Sequence, residues 1–161
     1  MLTIRPAIPD DYTAISILVV HAFGQNNEHK LIEALRRSDQ ARCELVAEQN
    51  GDLVGHICFS ELSTPDNWWA LAPVCVQNAR QNQGIGGALI REGLDKARAH
   101  KAAAVVVVGD PNYYSRFGFI FGGKATLMSP YPAQYTGLYP IETSTATAQT
   151  ALVYPRPFAE V

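Results

Sequence analysis

The chain has 161 residues, 47% of them hydrophobic and 17% charged, with a formal net charge of −2. That length and balance suit one folded domain over residues 1–161 and exclude a disordered or fibrous chain. No apolar run approaches the roughly 18 residues of a membrane helix, and the opening residues have no charged start followed by an apolar signal core.

In chain order, Thr3 to Arg5 reads as a short first strand. Asp10 or Asp11 can cap a helix whose apolar positions Ile15, Leu18, Val19, Ala22 and Phe23 fall at helical spacing. A second helix, about Glu28 to Arg37, places Leu31, Ala34 and Leu35 together. Glu44 to Gln49 alternates as a strand. Asn50 and Gly51 tolerate positive φ and signal a hairpin turn, with Asp52 to Ser60 returning. Trp68 to Val76 is another strand, and Gly86 to His100 a helix burying Leu89, Ile90, Gly93, Leu94 and Ala97. Ala104 to Val108 is apolar on both faces, as a central strand must be. Strand, helix and strand in that order make a right-handed parallel crossover. Residues 122–150 are rich in Gly, Pro, Thr and Ser and read as loop with short strands, in which Tyr131-Pro132, Tyr135 and Tyr139-Pro140 either line a substrate mouth or, the plainer reading, pack as rigid loop. No repeat, linker or second domain interrupts the chain.

The charge is uneven. Residues 1–66 hold 5 Lys/Arg and 10 Asp/Glu, whereas residues 67–161 hold 8 and 5. A net-positive second part suits a polyanionic small molecule there, and the acidic first part argues against nucleic acid at the front of the chain, while a chance drift of surface charge accounts for the split equally well. Cys43, Cys58 and Cys75 have no metal-binding spacing. Their odd number and apolar settings fit reduced core thiols in a cytoplasmic protein, and no metal site is expected.

Two motifs carry chemistry. In the first, the strand ending Val74, Cys75, Val76 runs through a polar turn into a glycine-punctuated helix start at Gly84, Ile85, Gly86 and Gly87. A helix N-terminus presents unpaired N–H groups and the positive end of its dipole, so it holds an anion. The loop is not a P-loop, because no Gly-Lys-Ser/Thr closes it. As a dinucleotide fingerprint it lacks the third glycine. The acidic residue expected about 20 residues on is not cleanly tested, since the next strand ends in Gly109 and Asp110. What it matches is Gln/Arg-x-x-Gly-x-Gly/Ala, with Gln81, Gly84 and Gly86 in the named places and Asn82, Gln83, Ile85 and Gly87 beside them. The second motif follows the apolar strand: Gly109, Asp110, Pro111, then Tyr114-x-Arg116-x-Gly118-Phe119, about 30 residues after the first.

Together these motifs resemble the GNAT superfamily of N-acetyltransferases, in particular a bacterial branch of small enzymes with Gly-Asp-Pro before a double tyrosine. The likeness extends to Ile4-Arg5-Pro6 with Asp10 and Asp11, to Val54-Gly55-His56-Ile57, to Leu71-Ala72-Pro73-Val74, and to Ala151-Leu152-Val153-Tyr154 with Phe158 as a closing strand. It implies an α/β (α+β) fold: a mixed, mainly antiparallel sheet with a splayed parallel strand pair and flanking helices. It also implies acetyl-CoA as co-substrate. The N–H groups from Gln81 to Gly87 would take the pyrophosphate, and the edge of Val74 to Val76 would pair with the pantetheine arm. A backbone N–H near Val76 would polarise the thioester carbonyl. The acceptor would be a primary amine on a small molecule or a protein.

Tyr114 stands at the family's general-acid place. A phenol is protonated at neutral pH and can donate to a leaving thiolate. Tyr113, its neighbour, reads as structural. Glu61 follows the strand from His56 to Ser60 and is the candidate base, against the plainer reading of a solvated carboxylate at a strand end. His56 reads as a core histidine, His29 and His100 as surface residues, and His21 as either. The chain departs from the family at Val107, where an asparagine is common, and at Asn78, where a proline is common; Asn112 would contact the pantetheine instead. Catalytic turnover and a turnover-free CoA-binding module remain the competing classes, with a nucleotide-binding module third. The identity of the acceptor, an acetyl or slightly longer acyl group, and a monomer or homodimer are left open by the sequence.

Overall fold

The longest apolar stretches of the chain pair into one sheet, and its helices cover both faces. A computed structural model describes residues 1–161. In order the elements are β1 (Leu2–Pro6), α1 (Tyr12–Phe23), α2 (Asn27–Arg37), β2 (Ala41–Gln49), β3 (Asp52–Glu61) and β4 (Trp68–Val76). There follow α3 (Ile85–Ala99), β5 (Ala104–Val108), the single turn α4 (Pro111–Tyr114), β6 (Thr126–Met128), β7 (Thr136–Pro140) and β8 (Gln149–Ala151). The main sheet has the order β1-β2-β3-β4-β5-β7. Only β4 and β5 run parallel in it, joined by α3, as the crossover argument requires. The β2–β3 hairpin turns on Asn50 and Gly51, both at positive φ.

Packing follows the sequence pattern. On one face α3 sets Leu89, Ile90, Leu94 and Ala97 against Phe59, Trp69, Leu71 and Val105. Each large side chain so buried contributes about 1.5–3 kcal/mol of transfer free energy. On the other face α1 and α2 place Ile15, Leu18, Val19 and Ile32 over Val46 and Cys75. The sheet is thus clamped between layers, and the positions of its strand ends are fixed by packing.

Three sequence expectations need correcting. No side chain caps α1: the Asp11 carboxylate turns back to the Ile8 N–H at 2.9 Å and to the Arg5 guanidinium at 2.8 and 3.0 Å. The ion pair with Arg5 outcompetes the cap and holds Asp11 below the usual carboxylate range. The segment around Ala151 to Tyr154 does not close the main sheet. β7 takes that place beside β5, β8 pairs with β6 in a separate two-stranded sheet, and Val153 only bridges Thr64. Leu152 is instead buried with Trp68 and Leu138 as an anchor for this arm, and the prolines at 155 and 157 prevent a longer strand. Finally, Glu61 is the last residue of β3, not a residue beyond it.

Candidate active site

β4 pairs with β5 only from Trp68 to Leu71, opposite Ala104 to Val107. Beyond that the two strands part. On its other side β4 stays paired with β3 to Val76, across an irregularity between the pairs Ile57–Val74 and Phe59–Leu71, where β4 carries one more residue than β3. An extra residue bends a strand, and Pro73, within it, has no N–H to give. The outward edge of Val74 to Val76 is therefore left without a strand. Its polarity follows from the ladder. The Gln77 N–H donates to the Val54 carbonyl, so alternation sends the Val76 and Val74 N–H groups the other way, into the gap.

At the end of β4 the chain makes one tight turn over Asn78 to Arg80 and enters α3 through Gly84, at φ 82°. Only glycine adopts that angle readily. The first backbone bond of the helix is donated by Ala88 to the Gly84 carbonyl at 3.0 Å. No side chain caps the helix, so the N–H groups of Ile85, Gly86 and Gly87 lie ahead of its ladder and face outward. The amide of Gln81 braces the loop, reaching the Val76 carbonyl at 3.5 Å and Asn78 at 3.3 Å.

The strand edge and the helix start form one groove of about 650 Å³. Its walls include Val74, Cys75, Val76, Gln81, Asn82, Gly84 to Gly87 and, one turn further along α3, Arg91, together with Tyr113, Tyr114, Arg116 and Phe117 from the tyrosine motif. Neither arginine is in an ion pair. Arg91 lies 4.9 Å from the Phe117 ring centre and Arg116 4.9 Å from that of Tyr113. Two cations and an uncapped helix N-terminus on one groove make a site for a polyanion.

Tyr114 stands at the far end of the groove, where β4 leaves β5. It is wedged edge-on against Tyr113 at 5.0 Å and Phe119 at 5.9 Å. Burial, and to a lesser degree Tyr113, pushes its phenol up to about 12, so it stays protonated at neutral pH. The Asp110 carboxylate accepts the Asn112 N–H at 2.9 Å and fixes the turn that delivers both tyrosines.

The groove thus assembles ten of the twelve residues expected for the cofactor. Gln83 and Asn112 are exposed and do not line it. Tyr113, read as structural, does line it. Glu61 does not: it pairs with Arg42 at 3.0 Å beside Trp69, at the end of β3 away from the Val76 turn. His56 is fully buried and bonds Glu44 through Nε2 at 2.8 Å, as a core histidine. Cys75 reaches the groove with its thiol pushed up to about 12 by burial. No helix is long and apolar enough to cross a membrane.

The sequence model of the Acetyltransferase (GNAT) family matches residues 9–119. The chain belongs to the GNAT family of acetyltransferases. The uncharacterized N-acetyltransferase YhbS of Escherichia coli K12 is 34% identical over 135 residues, which is 81% of each chain. YjhQ of the same strain, likewise an uncharacterized N-acetyltransferase, is 34% identical over 131 residues, 76% of this chain and 72% of YjhQ. The crystal structure of E. coli YhbS in complex with CoA superposes with a TM-score of 0.90 at 29% identity, over 98% of this chain and 92% of that one. A GNAT acetyltransferase of Brucella melitensis in complex with acetyl-CoA gives 0.84 at 32% identity, over 98% of both.

Within this GNAT chain, sequence reasoning missed Arg91, Phe117 and Tyr113 as groove residues. Arg91 had a signal, since it stands four residues after Gly87 and so on the same helix face. The two aromatic residues had none beyond their place in the tyrosine motif.

Proposed function

We propose that this chain binds acetyl-CoA along the groove and transfers its acetyl group directly to a primary amine. The observation that carries the reading is the meeting of three features at one place: an uncapped helix N-terminus, a strand edge with inward N–H groups, and the protonated Tyr114. The residues fit the co-substrate. Ile85 to Gly87 would take the pyrophosphate, Arg91 and Arg116 would balance phosphate charge, and Val74 to Val76 would pair with the pantetheine amides. The complexes of YhbS with CoA and of the Brucella protein with acetyl-CoA support the assignment.

When bound, acetyl-CoA supplies an acetyl group activated as a thioester. The Val76 N–H then donates to the carbonyl oxygen as negative charge develops there. The acceptor ammonium first releases a proton to solvent. Its nitrogen forms the C–N bond as the C–S bond breaks, and a second proton leaves the nitrogen to water. Tyr114 donates its proton to the departing sulfur as the proposed general acid and is reprotonated from solvent, so the products are the amide and CoA thiol. Direct transfer is favoured over an acyl-enzyme, because Cys75 is the groove's only cysteine. Its thiol, held near 12, is not a thiolate nucleophile at neutral pH. With Glu61 turned to Arg42, no protein base is assigned at that position.

Thermal shift with acetyl-CoA, NAD and ATP, followed by free-thiol release over a panel of amines, tests the reading. Acetyl-CoA alone should raise the melting temperature, by mass action on the folded state, and at least one amine should release CoA. A flat melting temperature with acetyl-CoA would overturn the assignment. Binding without any release would leave a CoA-binding module.

A further inference from the structure

Past Tyr114 the gap between β4 and β5 opens into a second cavity of about 450 Å³. It shares Phe23, Val74 and Tyr114 with the groove, so the two meet where the acetyl group would be delivered. Its floor is the end of the β4–β5 ladder and the strands just beyond it, Ala70 to Val74 and Val106 to Val108. Tyr131, Tyr154 and Phe158 follow one another along its wall, the first pair edge-on and the second tilted, with ring centres 4.9 and 5.2 Å apart. No lysine or arginine lines it.

Glu28 is the one charged side chain on this cavity. It is half-buried in the first turn of α2 and is in no ion pair. Its place suits the helix dipole, and the Gln25 amide donates to both of its oxygens, at 3.1 and 3.2 Å. A carboxylate has about four acceptor sites, so capacity remains for another donor. A cavity with aromatic walls, a single charged side chain that is an anion, and no cationic side chain is complementary to an ammonium carried on an apolar body.

Resting on the acetyl-transfer reading, we infer that the acceptor is a primary amine on an aromatic or similarly apolar body. Tyr131, Tyr154 and Phe158 hold its ring, and Glu28 binds its ammonium. Polyamines and hydroxylated amines are poor acceptors, because burying their further polar groups against these rings leaves them without partners.

The test compares acetyl transfer to 2-phenylethylamine, spermidine and ethanolamine under saturating acetyl-CoA. The value of kcat/KM for 2-phenylethylamine should exceed the other two by at least about tenfold. Glu28→Gln should lower it about ten- to a hundredfold, mainly through KM, as loss of a charged hydrogen bond does. Glu28→Asp should restore part of the loss, and the affinity of both variants for acetyl-CoA should stay unchanged. A peptide beginning with phenylalanine, if preferred, would keep the same chemistry and place its source at a protein N-terminus. Preference for spermidine or ethanolamine, or an unaltered Glu28→Gln, would overturn the inference while leaving acetyl transfer intact. If no amine turns over, calorimetry of 2-phenylethylamine with the CoA-loaded protein decides. Binding that Glu28→Gln abolishes supports the inference, and no binding overturns it. Failure of the underlying reading shows separately, as a protein that does not bind acetyl-CoA.

Discussion

A side chain at position 109 would begin 2.5 Å from the ring of Tyr114. Real Cβ atoms do not come so close, and the ring cannot move away freely, being held edge-on by Tyr113 and Phe119. Gly109 thus fixes the phenol at the end of the groove by having nothing in the way. We predict that Gly109→Ala displaces Tyr114, slows acetyl transfer at least about tenfold and costs about 1–3 kcal/mol of stability by overpacking. Acetyl-CoA affinity should change no more than a few-fold. Single-turnover rates and thermal melts check this; a normal rate would mean that the ring's position is unimportant.

Tyr114→Phe removes only the donor. Packing survives, so affinity for acetyl-CoA should stay within a few-fold, while single-turnover transfer slows roughly ten- to a thousandfold, within the range of general acid loss. Steady-state kcat shows less if product release is limiting. The pH dependence is equally specific. A phenol held at about 12 is lost as a donor only as pH climbs toward 12, so wild type should show no alkaline fall from this group below about pH 10. An alkaline limb near pH 8 that disappears in Tyr114→Phe would contradict it.

Gly86→Glu puts a carboxylate at the start of α3, where the phosphates are assigned. A Cβ there already lies 3.1 Å from the Tyr113 hydroxyl, so the added side chain extends into the groove. Negative charge at a helix N-terminus is favourable by roughly 0.3–1 kcal/mol, so the ligand-free fold should not weaken. Acetyl-CoA affinity should fall at least about a hundredfold. Calorimetry alongside circular dichroism would show both, and retained affinity in a folded variant would place the phosphates elsewhere.

Glu44 carries a pH-dependent share of the stability. Burial alone would raise its pKa, but hydrogen bonds from His56 at 2.8 Å and Arg36 at 2.5 Å outweigh that and hold it down to about 2. Its folded value is below its unfolded one, near 4.5. The stabilisation is therefore complete above about pH 4.5 and is lost as pH falls toward 2, with a magnitude of about 3 kcal/mol. Glu44→Gln should be several degrees less heat-stable than wild type at pH 7, and the difference should shrink steadily below pH 4. A gap independent of pH would mean that Glu44 acts by packing alone.

The strands and the glycine turn into α3 were legible because local rules govern them. Trp68 to Val76 and Ala104 to Val108 coincide with β4 and β5 residue for residue, since continuous apolar runs bounded by turn residues leave little choice. Glu61 was misplaced for the opposite reason. Its sequence position at a strand end says nothing of Arg42, nineteen residues earlier, which the β2–β3 hairpin brings to it. Tyr131 was open to a place at the substrate mouth, but its grouping with Glu28, Tyr154 and Phe158 was invisible. They come from α2 and from the loop-rich last third, and only tertiary packing makes them neighbours. Asp11 shows a local signal overruled: a good cap residue was recruited by a cation on β1.

The parting of β4 from β5 also divides the molecule mechanically. The half-sheet of β1 to β4 is laced to the half containing β5 and β7 along Trp68 to Leu71, with one more backbone bond from the Ala103 N–H to the Asn67 carbonyl, and beyond Leu71 β4 and β5 no longer pair. A pantetheine arm lying in the gap would act as a removable seventh strand, tying the two halves together for as long as it stays. Loading and unloading the co-substrate would then stiffen and relax the whole sheet, so the acceptor cavity, whose floor straddles the same gap, takes its final shape only when the protein is charged for transfer.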